Sequence, residues 1–142
     1  MSKILVVDDI PAIVDFSKEF FEDAGFEVRT ADTAPTAIAA QKAFKADVIL
    51  QDLNIPGGGG IFVYETLRSA GDMVPIIFST GKPETLGDLT AMVNVSALRK
   101  PTDPDVLMTE VRNRIAAFKT AAPAERPMNP VPPPPPPPRR PQ

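Results

Sequence analysis

The chain has 142 residues, 43% of them hydrophobic, with 15 Lys/Arg against 18 Asp/Glu for a formal net charge of −3. That is enough for one ordinary globular core. With neither cysteine nor histidine, the sequence excludes disulfides, thiolate or imidazole metal sites, Ser-His-Asp triads and Cys-His pairs, which leaves carboxylates, hydroxyls and lysine to carry any chemistry.

In chain order, Ile4–Val7 is a short β-branched-rich run closed by Asp8 and Asp9, and it reads as a strand. Pro11 suits the first position of a following helix, where its missing N–H costs nothing. From Pro11 to Ala24, Ile13, Phe16, Phe20 and Ala24 recur at helical spacing as an expected inward face, and Gly25 supplies the stop. Phe26–Ala31 alternates as a second strand. Thr33 caps a second helix with Pro35 in its first turn, and Ala37, Ala40 and Phe44 mark its buried stripe. Residues 48–51 form an apolar run that ends in Asp52-Leu53-Asn54-Ile55-Pro56 and four glycines, Gly57–Gly60. This is the pattern of a strand buried on both faces, with Asp52 at its carboxyl end. Ile61–Ala70 reads as a helix with Val63, Leu67 and Ala70 inward. Val74–Phe78 is a fourth strand leading into Ser79-Thr80-Gly81. Pro83–Val93 reads as a helix weakened by Gly87, which costs roughly 1 kcal/mol relative to alanine. Val95–Leu98 is a short fifth strand before Arg99-Lys100-Pro101, and 104–120 is a helix with Leu107, Val111, Ile115 and Phe118 inward.

A (βα) unit repeated about five times predicts an α/β domain, a three-layer doubly wound parallel sheet with right-handed crossovers. The flavodoxin-like order 2-1-3-4-5 is common at this size, and it places the ends of the first and third strands at the topological switch point. Asp8, Asp9 and Asp52 then converge. Three carboxylates at one point repel one another and call for a cation. Mg²⁺ fits that role, because it prefers oxygen donors and is typically held by one or two carboxylates together with a phosphate. A carboxylate beside Mg²⁺ can accept a phosphoryl group as an aspartyl phosphate, with lysine neutralising charge on the phosphoryl oxygens. Lys100 and Thr80, at the ends of the fifth and fourth strands, occupy the same sheet edge, where the Thr80 hydroxyl can donate to a phosphoryl oxygen.

Taken together, Val7-Asp8-Asp9, Asp52-Leu-Asn-Ile-Pro with its glycines, Ser79-Thr80-Gly81 and Lys100-Pro101 resemble the response-regulator receiver family over roughly residues 3–120. The resemblance implies that Asp52 is the phosphoacceptor and that Asp8, Asp9, Asp52 and the backbone carbonyl of Asn54 hold Mg²⁺. It also implies that Thr80 and Lys100 read the phosphate and that the Lys100-Pro101 peptide is cis. A phosphorylation-dependent signalling switch follows, a phosphoacceptor protein rather than an enzyme, although it would assist its own phosphorylation and dephosphorylation. Its expected partners are a sensor histidine kinase or phosphotransfer protein and an unknown downstream protein. The alternative is a pseudo-receiver, an interaction module that keeps the fold without phosphorylation. A haloacid-dehalogenase-like hydrolase is disfavoured, since that chemistry wants a second acid two residues after its nucleophile and Ile10 stands two after Asp8. The sequence departs from the family pattern at Gly59, often aspartate or serine, and at Gly81, often alanine. It also departs at Ala97, where a tyrosine or phenylalanine usually rotates together with the threonine. The segment from Gly81 to Arg99 is slightly short and lacks the common Gly-Ala-Asp turn.

The C-terminal stretch is of another kind. Eleven of the eighteen prolines lie in 123–142, including Pro132–Pro138 without a break. The expected division is a receiver domain at 1–122 and a Pro-rich disordered tail at 123–142, populating polyproline II. By that division the chain is a stand-alone receiver, and the tail serves chiefly as a solvated spacer. The body carries 12 Lys/Arg against 17 Asp/Glu, net −5, so no nucleic-acid partner is expected. No stretch is long enough to span a bilayer, and the N-terminal apolar run is too short for a signal peptide. A cytoplasmic protein without membrane contact is expected.

Overall fold

The computed structural model describes residues 1–87 and 92–120. Their elements, in order, are β1 (Lys3–Val7), α1 (Pro11–Asp23), β2 (Glu27–Ala31), α2 (Ala34–Phe44), β3 (Val48–Asp52) and α3 (Gly59–Ser69). After these come β4 (Ile76–Thr80), a 3₁₀ turn at Pro83–Leu86, β5 (Val95–Arg99) and α4 (Pro104–Thr120). The five strands are all parallel and lie in the order β2-β1-β3-β4-β5. This is the doubly wound order expected from the alternation.

Strand alternation sorts the core into two halves. Ile4, Val6, Val48, Leu50 and Ile77 point toward α1 and α4, where Phe21, Leu107, Val111 and Ile115 cover them. Leu5, Val7, Ile49, Ile76 and Phe78 point to the other face, beneath Ala34, Ala37 and Phe44 of α2 and Val63 and Leu67 of α3. Because β1 and β3 are covered on both sides, they are buried at nearly every residue and show no polar alternation. The Thr33 capping box fixes the start of α2, with the Thr33 hydroxyl accepting from the Thr36 N–H and the Thr36 hydroxyl accepting from the Thr33 N–H.

Several local expectations shift. On α1 the inward pair is Ser17 and Phe21, whereas Phe16 is 55% exposed and Ala24 is exposed. The small Ser17 lets the helix approach the sheet, and Phe21 fills the space one turn on against Phe26, leaving Phe16 and Phe20 stacked along the flank. On α3, Val63 and Leu67 are buried as expected but Ala70 is exposed, and the helix starts two residues earlier, at Gly59. β4 runs Ile76–Thr80 rather than from Val74, so Thr80 belongs to the strand itself. On α4, Phe118 is only half-buried. Within the helix expected at Pro83–Val93, Pro83–Leu86 form a 3₁₀ turn, which ends at Gly87 with a positive φ of +71°. Part of that expected helix, residues 88–91, lies outside the described residues, as does the expected tail.

The turn entering β5 is held by α3. Arg68 donates to the carbonyls of Val93, Asn94 and Asp72 at 2.8–3.3 Å, and the Tyr64 hydroxyl accepts from the Val93 N–H at 2.8 Å. Asn94 takes the left-handed conformation there, with its side chain donating to the Met73 carbonyl. Asparagine tolerates this backbone well, so it serves where a glycine would be expected.

Candidate functional site

The carboxyl ends of β1, β3, β4 and β5 bring Asp8, Asp9, Asp52, Thr80 and Lys100 to one edge of the sheet. Asp8 and Asp52 are 4% and 8% exposed, Asp9 is exposed, and Thr80 is buried. One carboxylate oxygen from each of Asp8, Asp9 and Asp52 lies within 4.8 Å of the others. Lys100 Nζ sits 2.9 Å from Asp8 Oδ2 and 3.4 Å from Asp52 Oδ1, bridging the two buried acids. The Lys100-Pro101 peptide is cis.

Each side chain is set by its local backbone. Asp8 follows the last residue of β1 and accepts from the Ile10 N–H at 3.0 Å, an Asx-type turn that starts α1. Asp52 is the last residue of β3, with its Oδ1 facing the Asn54 N–H at a long 3.5 Å. The loop after it is fastened twice, by Gly60 N–H to Leu53 O at 2.8 Å and by Ala34 N–H to Pro56 O at 2.9 Å. Gly60 is required at its position, because a Cβ there would meet the Asp52 carbonyl oxygen at 2.7 Å. Thr80 Oγ1 accepts from the Lys82 N–H at 3.1 Å, and the Thr80 carbonyl accepts from the Lys100 N–H at 2.8 Å. The end of β4 that carries Thr80 and the loop that carries Lys100 are thereby tied together.

Electrostatics follow from burial. Desolvation pushes the Asp52 carboxyl above its ordinary value, and the Asp8 carboxylate adds to the rise against the pull of Lys100 and the Asn54 N–H. Burial alone would lower Lys100, but its contacts with Asp8 and Asp52 outweigh that and raise it. One ammonium among three carboxylates leaves the cluster net negative. An all-oxygen donor set that is partly buried and short of positive charge fits a hard divalent cation such as Mg²⁺. Asp8, Asp9 and Asp52 are the carboxylates placed to hold one.

A cleft of about 450 Å³ opens beside the cluster between α1 and α4, with Asp8, Asp52 and Lys100 at its floor and Ile13, Phe16 and Leu107 on its walls. Two residues absent from the expected set also act here. Arg99 donates to the Gly81 carbonyl and to Glu84, each at 2.9 Å, fastening β5 to the loop after Thr80. Nothing in the sequence marks that pairing, since 15 residues separate Arg99 from Glu84. Gln51, fully buried beside Asp52, donates to the Asp52 carbonyl at 2.9 Å. A polar side chain inside the apolar run 48–51 was the available signal.

Residues 4–112 match the family model described as the response regulator receiver domain. The chain is 31% identical over 115 residues to the DNA-binding response regulator MtrA of Mycolicibacterium smegmatis, covering 80% of this chain and 50% of that protein. It is 32% identical over 130 residues to the alkaline phosphatase synthesis transcriptional regulatory protein PhoP of Bacillus subtilis, covering 89% of this chain and 54% of that protein. It thus spans about half the length of these curated relatives. Among solved structures, the chemotaxis protein CheY4 of Vibrio cholerae superposes with a TM-score of 0.73 at 30% identity, covering 80% of this chain and 98% of that one. A response regulator receiver domain protein from Clostridium thermocellum gives 0.75 at 25% identity, covering 84% and 98%.

Proposed function

The chain belongs to the response regulator receiver domain family, a signalling domain of two-component systems, and on that premise we propose that it is a phosphorylation-dependent switch with Asp52 as its phosphoacceptor. The observation that carries this reading is the Lys100 ammonium lying between the buried Asp8 and Asp52 carboxylates at the edge where Asp9 and Thr80 also emerge. In the reaction an Asp52 carboxylate oxygen attacks the phosphorus of a phosphohistidine on a sensor kinase or phosphotransfer protein. The new O–P bond forms as the P–N bond breaks, and the departing imidazole nitrogen keeps the electron pair and takes a proton from water. Asp8, Asp9, Asp52 and the Asn54 carbonyl are the groups proposed to hold Mg²⁺. When bound, it would offset negative charge on the phosphoryl oxygens. Lys100 is placed to exchange its contact with Asp52 for one with a phosphoryl oxygen. The Thr80 hydroxyl is placed to leave the Lys82 N–H and donate to another, which would draw the Thr80–Lys82 loop inward.

The folding unit is proposed to be residues 1–122, with 123–142 outside it, and the output is proposed to be binding of a downstream protein. The body's net charge of −5 opposes direct contact with nucleic acid. A pseudo-receiver is not favoured, because such a module has no use for the five residues gathered at this edge. No helix among the described residues is long and apolar enough to cross a membrane.

Intact-mass measurement tests the assignment. Acetyl phosphate with Mg²⁺, or phosphotransfer from the histidine kinases of the source organism, should add one phosphoryl group that is lost with chelator and in Asp52→Asn. A label that maps to another residue, or no label from any of these donors, refutes it.

A further inference from the structure

Gln51 is a buried polar residue without an evident reason in its own strand. It sits in β3 after Val48, Ile49 and Leu50, is 0% exposed, and points to the face covered by α2 and α3. A leucine would satisfy that face, whereas a buried amide is unfavourable unless it is hydrogen-bonded. Only one of its two polar atoms is bonded. Nε2 donates to the carbonyl of Asp52 at 2.9 Å, and Oε1 has no hydrogen-bond partner among the described residues. The opposite orientation of the amide would set two oxygens against each other, so the amide orientation follows from that carbonyl.

The Asp52 carbonyl is exposed to this bond by the topology. In a parallel sheet, successive residues of a central strand direct their N–H and C=O alternately to the two neighbours. Ile49 N–H donates to Pro75 O on the β4 side, so Ile49 and Gln51 bond toward β4, and Leu50 and Asp52 bond toward β1. Pairing between β1 and β3, however, stops at Val7 with Gln51. Asp52 therefore turns its carbonyl toward a neighbour that has already left the sheet. On the other side Gly60 approaches so closely that a Cβ would lie 2.7 Å from this oxygen. The Gln51 amide supplies the donor that β1 does not.

We propose that Gln51 is a positioning residue for the phosphoacceptor, holding the Asp52–Leu53 peptide plane so that the Asp52 carboxylate and the Asn54 backbone keep their reactive placement. The inference rests on Asp52 being the phosphoacceptor. Fixing that peptide fixes ψ of Asp52 and the direction in which the chain leaves toward Asn54, whose N–H faces Asp52 Oδ1. A misplacement of ~1 Å at a reacting group can cost about 10²-fold in rate.

The test uses the full chain, with phosphoramidate as donor in the presence of Mg²⁺, and follows Asp52 phosphorylation by intact mass across donor concentrations. Gln51→Leu and Gln51→Met both fill the space of the glutamine without its donor. Both should lower the maximal rate by about tenfold, while the half-saturating donor concentration and the melting temperature stay near those of the wild type. Maximal rates within about twofold of the wild type, or a change confined to the half-saturating concentration, overturn the proposal. A wild type that takes no phosphoryl group on Asp52 sinks the phosphoacceptor reading first, and so sets that failure apart from a failure of Gln51. If both variants unfold, the wild type decides. The Gln51 side-chain amide protons should exchange with solvent far more slowly than those of the exposed Asn113, and they should shift when beryllofluoride occupies Asp52. Exchange as fast as Asn113, or resonances that do not move, overturn it.

Discussion

At the scale of single residues the site is a balance of burial against charge, and Asp52 shows its sign. Burial first, with help from Asp8, raises the Asp52 carboxyl above its ordinary value of 3.8. The folded protein therefore binds that proton more tightly than the unfolded chain does, and this contribution to stability is lost as pH rises through the folded-state value. At neutral pH, without metal, an ionised Asp52 costs stability. Asp52→Asn should then melt above the wild type at pH 7 in chelator, with the gap closing as pH falls below the ordinary carboxylate range. Thermal melts across pH check this, and a wild type at least as stable as Asp52→Asn at pH 7 would overturn it. Two glycines give a second residue-scale contrast. Gly60→Ala drives a Cβ to 2.7 Å from the Asp52 carbonyl and to 3.1 Å from Phe78, so it should destabilise by about 1–3 kcal/mol. A Cβ at Gly81 meets nothing within 4 Å. Gly81→Ala should be neutral or stabilise by about 0.4–1 kcal/mol by restricting the unfolded chain. Chemical denaturation of the two variants separates these outcomes.

At the scale of elements, the unusual part is the stretch between β4 and β5. Among the described residues a 3₁₀ turn at Pro83–Leu86 follows Thr80, and Ala97 stands in β5 opposite Phe78, half-buried against the α2/α3 half of the core. A ligand shifts an equilibrium only by its differential interaction with the two states, and a methyl group has little to rotate. β5 is also pinned at its entry by Arg68 and Tyr64 of α3. At its exit, Arg99 fastens the loop after Thr80 to it through the Gly81 carbonyl and an exposed ion pair with Glu84 of the kind worth little, ~0–1 kcal/mol. Beryllofluoride on Asp52 should therefore move amide chemical shifts chiefly in 79–93 and leave 95–99 nearly still. Large shifts confined to β5 would show that another side chain has taken the part of the missing aromatic ring.

At the scale of the whole molecule, the composition of the C-terminal stretch offers little to a hydrophobic core. Among the described residues, both halves of the core draw on residues between Ile4 and Ile115, and the 123–142 segment contains Met128 and Val131 as its only large apolar residues. Deleting 123–142 should leave the melting temperature within about 2 °C of the full chain, since ~1 kcal/mol corresponds to roughly 4–8 °C in a domain of 60–100 residues and roughly 2–4 °C in one of 150–250. A loss of several degrees in calorimetry would mean that the segment contributes to the folded domain.

Composition and periodicity by themselves determined the α/β class and the number of strands. They also determined which residues lie at strand ends, because period-two and period-3.6 patterns and Gly/Pro breaks are local consequences of backbone geometry. Asp8, Asp52, Thr80 and Lys100 were legible for that reason, each standing where an apolar run stops. The inward face of α1 was not, since Phe16 and Phe21 are equally apolar and only the fit of Ser17 against the sheet chose between them. Nor was the 3₁₀ form of Pro83–Leu86, which ends at Gly87 in a positive-φ backbone. The contacts that set the site's geometry also waited on the tertiary structure: Lys100 reaches Asp8 across 92 residues. Gln51 meets an adjacent carbonyl because β1 ends one residue too soon to pair with Asp52. Such contacts depend on which strands become neighbours and where each one stops, and only the assembled sheet decides that.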